Sequence, residues 1–341
     1  MTFEKLPEPS VPPRRPRGRR LPALAWLATL AAVLAVGWRW SAPPKIETPR
    51  RTATSPSLAD EDLEGRIVAA WQEGRRLKTD GQGEAAAAEF ARALAIQRRL
   101  NVRFPASRFV SLGRLAEFEA DRQMALALAP LARLGELEQQ LDGHLRRREL
   151  HQARMILAEC VRSLGALRGK FPQARGVADG LAVKIAFLQS RAGELETIQD
   201  RCYDRLVPLP GRAPPALMRS AVTQEDFQRV MGLNPSAERA ASRGVDSLTH
   251  AEAEEYCRRL AWVLGFPARL PGAGELRSAL AASRAAFDDG EEWLRAESPG
   301  HALAPIFSSD GSESRLAARG SGSPARGFRV VVETDLARPP G

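Results

Sequence analysis

The chain has 341 residues, of which 44% are hydrophobic and 27% are charged, so it is long enough for two modest domains with extensions. Its formal net charge of +9 is concentrated at one end, because residues 1–51 hold ten Lys or Arg against three Glu, a balance of +7. The remaining residues therefore carry a balance of only +2, which argues against a nucleic-acid-binding face on the folded part.

The N-terminal segment predicts a membrane anchor. Residues 1–20 are rich in Pro and Arg and are expected to form a disordered basic tail. Residues 21–40 read LPALAWLATLAAVLAVGWRW and have no charged side chain before Arg39. About 20 helical residues span the hydrocarbon core of a bilayer, which is roughly 30 Å thick. We therefore predict a single-pass transmembrane helix, with a cleaved signal peptide and a buried core helix as the alternatives.

The charges around this segment predict its orientation. An arginine cluster precedes the apolar run, which places the N-terminus in the cytoplasm and the folded part on the other side, for example in the periplasm. Residues 41–58, rich in Pro, Ser and Thr, would form an extended linker. The sequence thus predicts a protein of the cytoplasmic (inner) membrane, with the membrane as one of its partners.

Residues 59–206 predict a helical domain that contains an internal repeat. Helix-forming residues dominate, and residues 83–108 align with residues 150–175 at an offset of 67. This offset is close to twice the 34-residue tetratricopeptide period. The residues at tetratricopeptide spacing in the first copy are Gly74, Leu77, Gly81, Ala86, Phe90, Ala93 and Leu94. We predict a stack of tetratricopeptide-like hairpins that docks a protein partner, with a long helical bundle or coiled coil as the alternative.

A Pro-rich stretch at residues 207–216 predicts a hinge, and a second domain is expected at residues 217–335, followed by a loose tail at 336–341. Two short helices are predicted near the start of this domain. The first would end at Gly232. The second would begin with a capping box formed by Thr249 and Glu252 and would end at Gly265.

Five motifs occur in order within this domain. They read VTQEDFQRVMGLNPS from Val222, AEAEEYCRRL from Ala251, RLP from Arg269, GEEW from Gly290 and GFRVV from Gly327. Together they resemble the formylglycine-generating, or sulfatase-modifying factor, family. The resemblance implies a C-type-lectin-like α+β fold, in a form that is shortened and degenerate relative to the family. The fold class expected for the whole chain is mostly α, with a C-terminal α+β domain.

The resemblance also implies an oxidation site, which this sequence lacks. Family members oxidise a substrate cysteine with a copper ion held by two cysteines, and a related branch holds non-haem iron with histidines. Residues 293–328 contain no cysteine, and Cys257 is the only cysteine of the domain. The histidines are His144, His151, His250 and His301. The facial triad of a non-haem iron site cannot be assembled from these histidines and their neighbours in the sequence.

Other candidate ligands receive simpler interpretations. His250 and Glu254 form an i, i+4 pair, but a solvated position in the first helical turn is the expected role of His250. The acidic residues Asp288, Asp289 and Asp310 are predicted to be turn residues rather than calcium ligands. The sequence therefore predicts no catalytic, cofactor-binding or metal-binding residue.

The three cysteines cannot all pair within one chain. Cys160 is expected to be a buried apolar residue of the repeat, at the position that corresponds to Ala93. One disulfide, between Cys202 and Cys257, is a candidate if the domain lies in an oxidising compartment.

These observations lead to two functional hypotheses. The first is a non-catalytic binding or scaffold protein, in which the repeats dock a protein and the second domain recognises a protein, a peptide or a glycan. The alternative is an active oxidoreductase of the formylglycine-generating type, which would use copper or non-haem iron. The missing cysteine pair favours the first hypothesis.

Overall fold

The computed structural model describes residues 58–209, 215–282, 285, 290–296, 303–308, 315–323 and 326–334. All of them belong to one compact unit, Pro56–Gly341. The described part is mostly helical and has a small sheet-containing part at its C-terminal end, as the sequence predicts.

The first half of the described chain consists of helices. They are α1 (Leu58–Thr79), α2 (Gly83–Arg103), α3 (Leu112–Arg146), α4 (Leu150–Lys170), a 3₁₀ helix (Pro172–Ala178), α5 (Asp179–Ser190) and α6 (Leu195–Tyr203). Each of the first four helices packs against the next one along the chain. Short connections between long helices favour this arrangement of antiparallel neighbours.

The internal repeat is visible in the local structure. Helices α2 and α4 each have 21 residues, and their C-cap residues are Phe104 and Phe171, whose φ angles are −127° and −128°. The turns that precede the two helices also correspond, because Gly81 and Arg148 both have a positive φ, of 76° and 59°. The two helical hairpins therefore share their turn and cap geometry as well as a sequence pattern.

Small residues bring α1 and α2 together at one point. Gly74 of α1 faces Phe90 of α2, and a Cβ atom on Gly74 would lie 2.8 Å from the Phe90 ring. Phe90 is fully buried, as is Cys160, which occupies the repeat position of Ala93. The predicted role of Cys160 as a buried apolar residue is thus confirmed.

The second half of the described chain combines three helices with two small sheets. The helices are α7 (Gln224–Met231), α8 (His250–Leu264) and α9 (Ala273–Ala281). The strands are β1 (Leu206–Pro208), β2 (Ala216–Met218), β3 (Ala268–Arg269), β4 (Glu291–Trp293), β5 (Leu303–Ser308), β6 (Arg315–Ala318), β7 (Arg326–Phe328) and β8 (Val331–Val332). One sheet has the antiparallel order β1-β2-β8-β3. The other has the order β6-β5-β4-β7, with β4 and β7 parallel.

The predicted helix boundaries in this part are confirmed. Thr249 and Glu252 form the capping box of α8, in which each side chain accepts a backbone N–H of the other residue. Helices α7 and α8 end at Gly232 and Gly265, which both adopt the left-handed conformation, with φ of 81° and 70°. Residues 207–216 were predicted to form a hinge. This segment begins in β1 and ends in β2, and the two strands pair with each other.

The helical and sheet-containing parts share one hydrophobic core. A single cluster of buried side chains runs from Leu134 on α3 to Tyr256 on α8 and Trp293 on β4. Hydrogen bonds also connect the two parts. Gln199 on α6 is fully buried, and its Nε2 donates to the carbonyls of Leu145, at 3.1 Å, and Val263, at 2.8 Å.

These bonds use carbonyl groups at helix ends that have no partner within their own helix. Leu145 lies in the last turn of α3, and Val263 lies in the last turn of α8. The Arg146 guanidinium adds a further hydrogen bond to the Gly265 carbonyl. We refer to Gln199, Leu145, Val263, Arg146 and Gly265 as the helix-end junction.

The predicted membrane anchor is corrected. Among the described residues, no helix combines the length and the apolarity that a bilayer crossing requires. Even α3, with 35 residues, has only one buried stripe and carries charged side chains on its other faces. The segment on which the prediction rested, residues 21–40, lies outside the described residues. The membrane partner and the inner-membrane location are withdrawn together with the anchor.

Candidate functional site

The histidines considered as iron ligands are dispersed in the structure. His144, at the end of α3, contacts the Glu149 carboxylate through Nδ1 at 2.6 Å, and His151 is exposed on α4. His301 lies outside the described residues. Within the described ranges, no group of three or more His, Cys, Asp or Glu side chains could hold a metal ion. Asp288, Asp289 and Asp310 are also outside the described residues.

The prediction that His250 is solvated is wrong. Its side chain is fully buried, because the Trp293 ring packs edge-on against it with the ring centres 5.3 Å apart. His250 Nε2 lies 3.0 Å from the Leu294 carbonyl, to which it donates a hydrogen bond. Its Nδ1 makes no hydrogen bond within the described structure but lies 3.3 Å from the Glu254 carboxylate. His250 is therefore buried by contacts from strand β4 and the residue after it, and its place in the first turn of α8 does not expose it to solvent.

The three cysteines are free and buried, so the candidate Cys202–Cys257 disulfide is not formed. Burial raises the pKa of Cys160 to about 11 and that of Cys202 to about 12, and it also raises the pKa of Cys257. A thiolate is the form that attacks electrophiles and binds soft metals. These environments are typical of structural cysteines.

We therefore expect slow thiol labelling of the folded protein. At pH 8, a thiol with a pKa of about 11 is ionised in roughly one molecule per thousand. Ellman's reagent should detect little thiol in the native protein and three thiols per chain after unfolding in guanidinium without reductant. One rapidly reacting thiol in the native protein, or one thiol after unfolding, would contradict this prediction.

The sheet-containing part has an open groove of about 420 Å³ between α8 and β3. We call it the α8–β3 groove. Helix α8 contributes one face to it, and the segment around β3 and Arg295, two residues after β4, contribute the other side. Its lining residues are Glu254, Cys257, Arg258, Ala261, Trp262, Pro267, Ala268, Arg269, Leu270 and Arg295. This volume lies in the range of small-ligand sites, which is about 300–1,000 Å³.

The aromatic side of the groove is held in place by its neighbours. Trp262 is half-buried and packs against Phe187 of α5, with the ring centres 5.5 Å apart. The Arg258 guanidinium lies over the Trp262 ring at 5.3 Å, and the same arginine pairs with Glu255. A fixed aromatic surface can contact a ligand with little loss of side-chain entropy.

The three arginines that line the groove differ in their partners. Arg269 is bound by the carboxylates of Glu275, at 2.6 Å, and Glu333, at 3.1 Å. Arg258 is paired with Glu255. Arg295 is exposed and forms no close ion pair with a described side chain, although its charge helps to lower the pKa of Glu275, and its backbone N–H donates to the Pro271 carbonyl at 2.9 Å. The α8–β3 groove therefore presents one guanidinium that is available to a carboxylate.

Strand β3 lies at the edge of its sheet, beside the groove. The Glu333 N–H donates to the Pro267 carbonyl at 2.9 Å, and Ala268 is the cross-strand partner of Val332. In an antiparallel pair, hydrogen-bonded and non-hydrogen-bonded positions alternate. The N–H and C=O of Ala268 therefore point away from β8, and they have no hydrogen-bond partner in the described part of the chain.

The Arg269–Glu275 pair predicts a pH-dependent contribution to stability. Burial alone would raise the pKa of Glu275, but hydrogen bonds from Arg269 and the Gly272 amide hold this pKa below its usual value of 4.5. The pair therefore stabilises the folded state above about pH 4.5, and this contribution is lost as the pH falls through the lowered pKa. Glu275→Gln should lower the free energy of unfolding by about 1 kcal/mol at pH 7.

Urea unfolding of the wild type and of Glu275→Gln at pH 7 and pH 3 measures this effect. The difference between the two proteins should be smaller at pH 3. Glu136→Gln is a suitable control, since the Glu136 side chain is 61% exposed, and it should change stability little at either pH. An equal difference at both pH values would contradict the prediction.

Sequence reasoning did not find the α8–β3 groove. Glu254, Cys257, Arg258 and Ala261 lie on one face of α8 at helical spacing, which by itself is the pattern of an ordinary amphipathic helix. Arg295 and Ala268 enter the site through tertiary packing. An arginine two residues after the GEEW motif carries no local signal of a binding role.

Comparisons with known proteins add no assignment. No family model matches the chain, and no curated protein matches it. Among solved structures, Treponema denticola variable protein 1 is similar at 15% identity, over 38% of this chain and 92% of that chain, with a TM-score of 0.28. A similarity of this size carries no argument about fold or function, so the function has to be argued from the site.

Proposed function

We propose that this protein is a non-catalytic binding protein and that the α8–β3 groove is its ligand site. The observation that carries the proposal is the combination of a fixed aromatic ring, Trp262, with an exposed guanidinium, Arg295, that forms no close ion pair with a described side chain, in one groove of about 420 Å³. A few convergent polar groups on a partly apolar surface are the usual composition of a binding site. Such a groove recognises a ligand and needs no nucleophile.

We further propose that the helical part is a tetratricopeptide-like stack and that the sheet-containing part is a reduced domain of the sulfatase-modifying factor type. The matching turns at Gly81 and Arg148 support the first proposal. The second is supported by the meeting of two of its motifs, since Glu292 of the GEEW motif binds Arg329 of the GFRVV motif at 2.9 Å. Both proposals concern ancestry and do not require activity.

The buried thiols favour binding over oxidation. Cys257 lies beside the groove, but it is only 3% exposed, and burial raises its pKa. A copper site of the formylglycine-generating type requires at least two thiolates that converge on one point. The test of the proposal therefore also includes a measurement of cysteine oxidation, which is the activity that the oxidoreductase alternative predicts.

The test is to probe arrays of peptides and of glycans with the full chain, alongside an Arg295→Glu variant. We expect the wild type to bind a set of array members and the variant to lose them, because reversing the charge repels a carboxylate that Arg295 would bind. Arg133→Glu is the matched control. Arg133 lies on α3, outside the groove, and its side chain is 54% exposed.

The outcomes separate the two functions. Binding that Arg295→Glu abolishes and Arg133→Glu retains would support the proposal. Binding that both variants retain would exclude the α8–β3 groove as the site. Mass spectrometry of cysteine-containing peptides after incubation with the protein, copper and oxygen covers the alternative, and oxidation of a cysteine would overturn the non-catalytic assignment.

A further inference from the structure

We propose that the ligand of the α8–β3 groove is an extended peptide with an acidic side chain, which adds to strand β3 as a further strand. This inference rests on the proposed function and specifies the class of ligand. It is carried by two features that both line the groove, the outward-facing backbone groups of Ala268 and the exposed guanidinium of Arg295, which forms no close ion pair with a described side chain.

The edge of β3 provides the backbone contact. Among the described strands, the sheet order ends at β3, and β8 pairs with one of its two sides. Since Pro267 and Glu333 form the hydrogen-bonded pair, the N–H and C=O of Ala268 face outward. A peptide strand that pairs with Ala268 would satisfy both groups, which is how peptides extend sheets in β-augmentation.

The sequence around the edge is consistent with an occupied edge. Exposed strand edges are commonly protected by charged side chains, prolines or covering segments, because free edges pair with other chains. Pro267 protects one end of β3, and Arg269 is neutralised by Glu275 and Glu333. Between them Ala268, with its small side chain, leaves room for a second backbone to approach.

Arg295 provides the specificity for charge. Arg258 and Arg269 form close ion pairs with carboxylates of this chain, whereas Arg295 forms none with a described side chain and only acts on Glu275 through its charge. An Arg–carboxylate pair can form two parallel hydrogen bonds, which fixes the orientation of the carboxylate as well as its charge. In an extended peptide, alternate side chains face the same direction. An acidic residue near the one that pairs with Ala268 is therefore the expected signature.

Trp262 and Glu254 limit which peptides fit. Trp262 supplies an aromatic surface for an apolar part of the ligand. Glu254 contributes a carboxylate to the groove, and its charge would repel a run of acidic residues. The ligand we expect has one or two acidic residues and alternating apolar positions, in contrast to a polyacidic tract.

The experiment measures fluorescence anisotropy of labelled eight-residue peptides with the full chain. The probe peptide alternates Val with Thr and carries one central Glu. Three matched peptides replace Glu with Gln, replace Glu with Lys, or keep Glu and N-methylate alternate backbone amides. The Gln and Lys peptides should bind at least tenfold more weakly, because they lose the charged pair with Arg295. N-methylation should have an effect of similar size, because it removes backbone donors.

Protein variants test the same contacts from the other side. Ala268→Pro removes the outward N–H and should weaken binding of the Glu peptide at least tenfold. Arg295→Glu should reduce binding of the Glu peptide and improve binding of the Lys peptide. If Ala268→Pro fails to fold, the N-methylated peptide still tests strand pairing on the wild-type protein.

The outcomes distinguish this inference from the proposed function. Loss of binding on N-methylation together with the charge preference supports strand addition. Binding of the Glu peptide that is insensitive to N-methylation and to Ala268→Pro overturns strand addition and leaves a groove that binds carboxylates. If no peptide binds while glycans bind in an Arg295-dependent manner, the peptide inference is overturned and the proposed function stands.

Discussion

Replacing Arg329 with Met is expected to lower the free energy of unfolding by about 3–5 kcal/mol. Arg329 is fully buried, and its partner Glu292 is 5% exposed. The Arg329 Nε lies 2.9 Å from each oxygen of Glu292, and Nη1 donates to the Arg219 carbonyl at 2.7 Å. The substitution removes the Arg329 charge from the buried Glu292 carboxylate, and it also removes the hydrogen bond that Arg329 donates to the Arg219 carbonyl. Removal of one partner of a buried ion pair is the costlier of these two changes.

Urea unfolding followed by circular dichroism measures this loss. The double variant Arg329→Met/Glu292→Leu should recover a large part of it, because an apolar pair of similar volume can replace a buried ion pair at little cost. Arg133→Met is the matched control, since Arg133 and Glu136 form an ion pair with side chains 54% and 61% exposed. It should change stability by less than about 0.5 kcal/mol. Equal effects of Arg329→Met and Arg133→Met would contradict the prediction.

Replacing Gly265 with Ala is expected to destabilise the protein by about 2–5 kcal/mol. Gly265 ends α8 with φ of 70°, a conformation that costs a residue with a side chain about 1–2 kcal/mol. A Cβ atom here would also lie 2.5 Å from the backbone oxygen of Asp142 on α3. Because that oxygen belongs to a helix, it cannot move without shifting the helix, so the contact between α3 and the end of α8 would open.

Gly135→Ala serves as the control for this substitution. Gly135 lies inside α3, and a Cβ atom there would have no neighbour within 4 Å. Ala is a better helix former than Gly, so this variant should gain about 0.5–1 kcal/mol. Thermal and urea unfolding of both variants should therefore give opposite signs. A Gly265→Ala protein as stable as the wild type would show that the ends of α3 and α8 are not held in close contact.

The features that sequence predicted well are those with local causes. The capping box at Thr249 and the helix ends at Gly232 and Gly265 depend on residues within one or two turns. The repeat was also predictable, because two copies of one pattern, each ending at a Phe, imply the same local structure twice. The mostly helical character followed from composition over long windows.

The features that were missed depend on contacts distant in sequence. His250 was expected in solvent because it follows a helix cap, yet Trp293 and Leu294 bury it from a strand more than forty residues later. The α8–β3 groove likewise requires β3 and Arg295 to meet one face of α8. The membrane prediction rested on the apolarity of a single segment, and the helices that the structure describes bury their apolar stripes against each other.

The helix-end junction has a consequence for motion. Helix α8 carries the groove on one face, and its last turn shares Gln199 with the last turn of α3. Fraying of either helix end breaks hydrogen bonds that also hold the other, so the two ends should open together, as one unit in hydrogen exchange. A ligand that stiffens α8 would then slow the exchange of amides at the end of α3, which is itself outside the groove. Hydrogen exchange at the end of α3 would thus reveal whether the groove is occupied, although α3 does not line the groove.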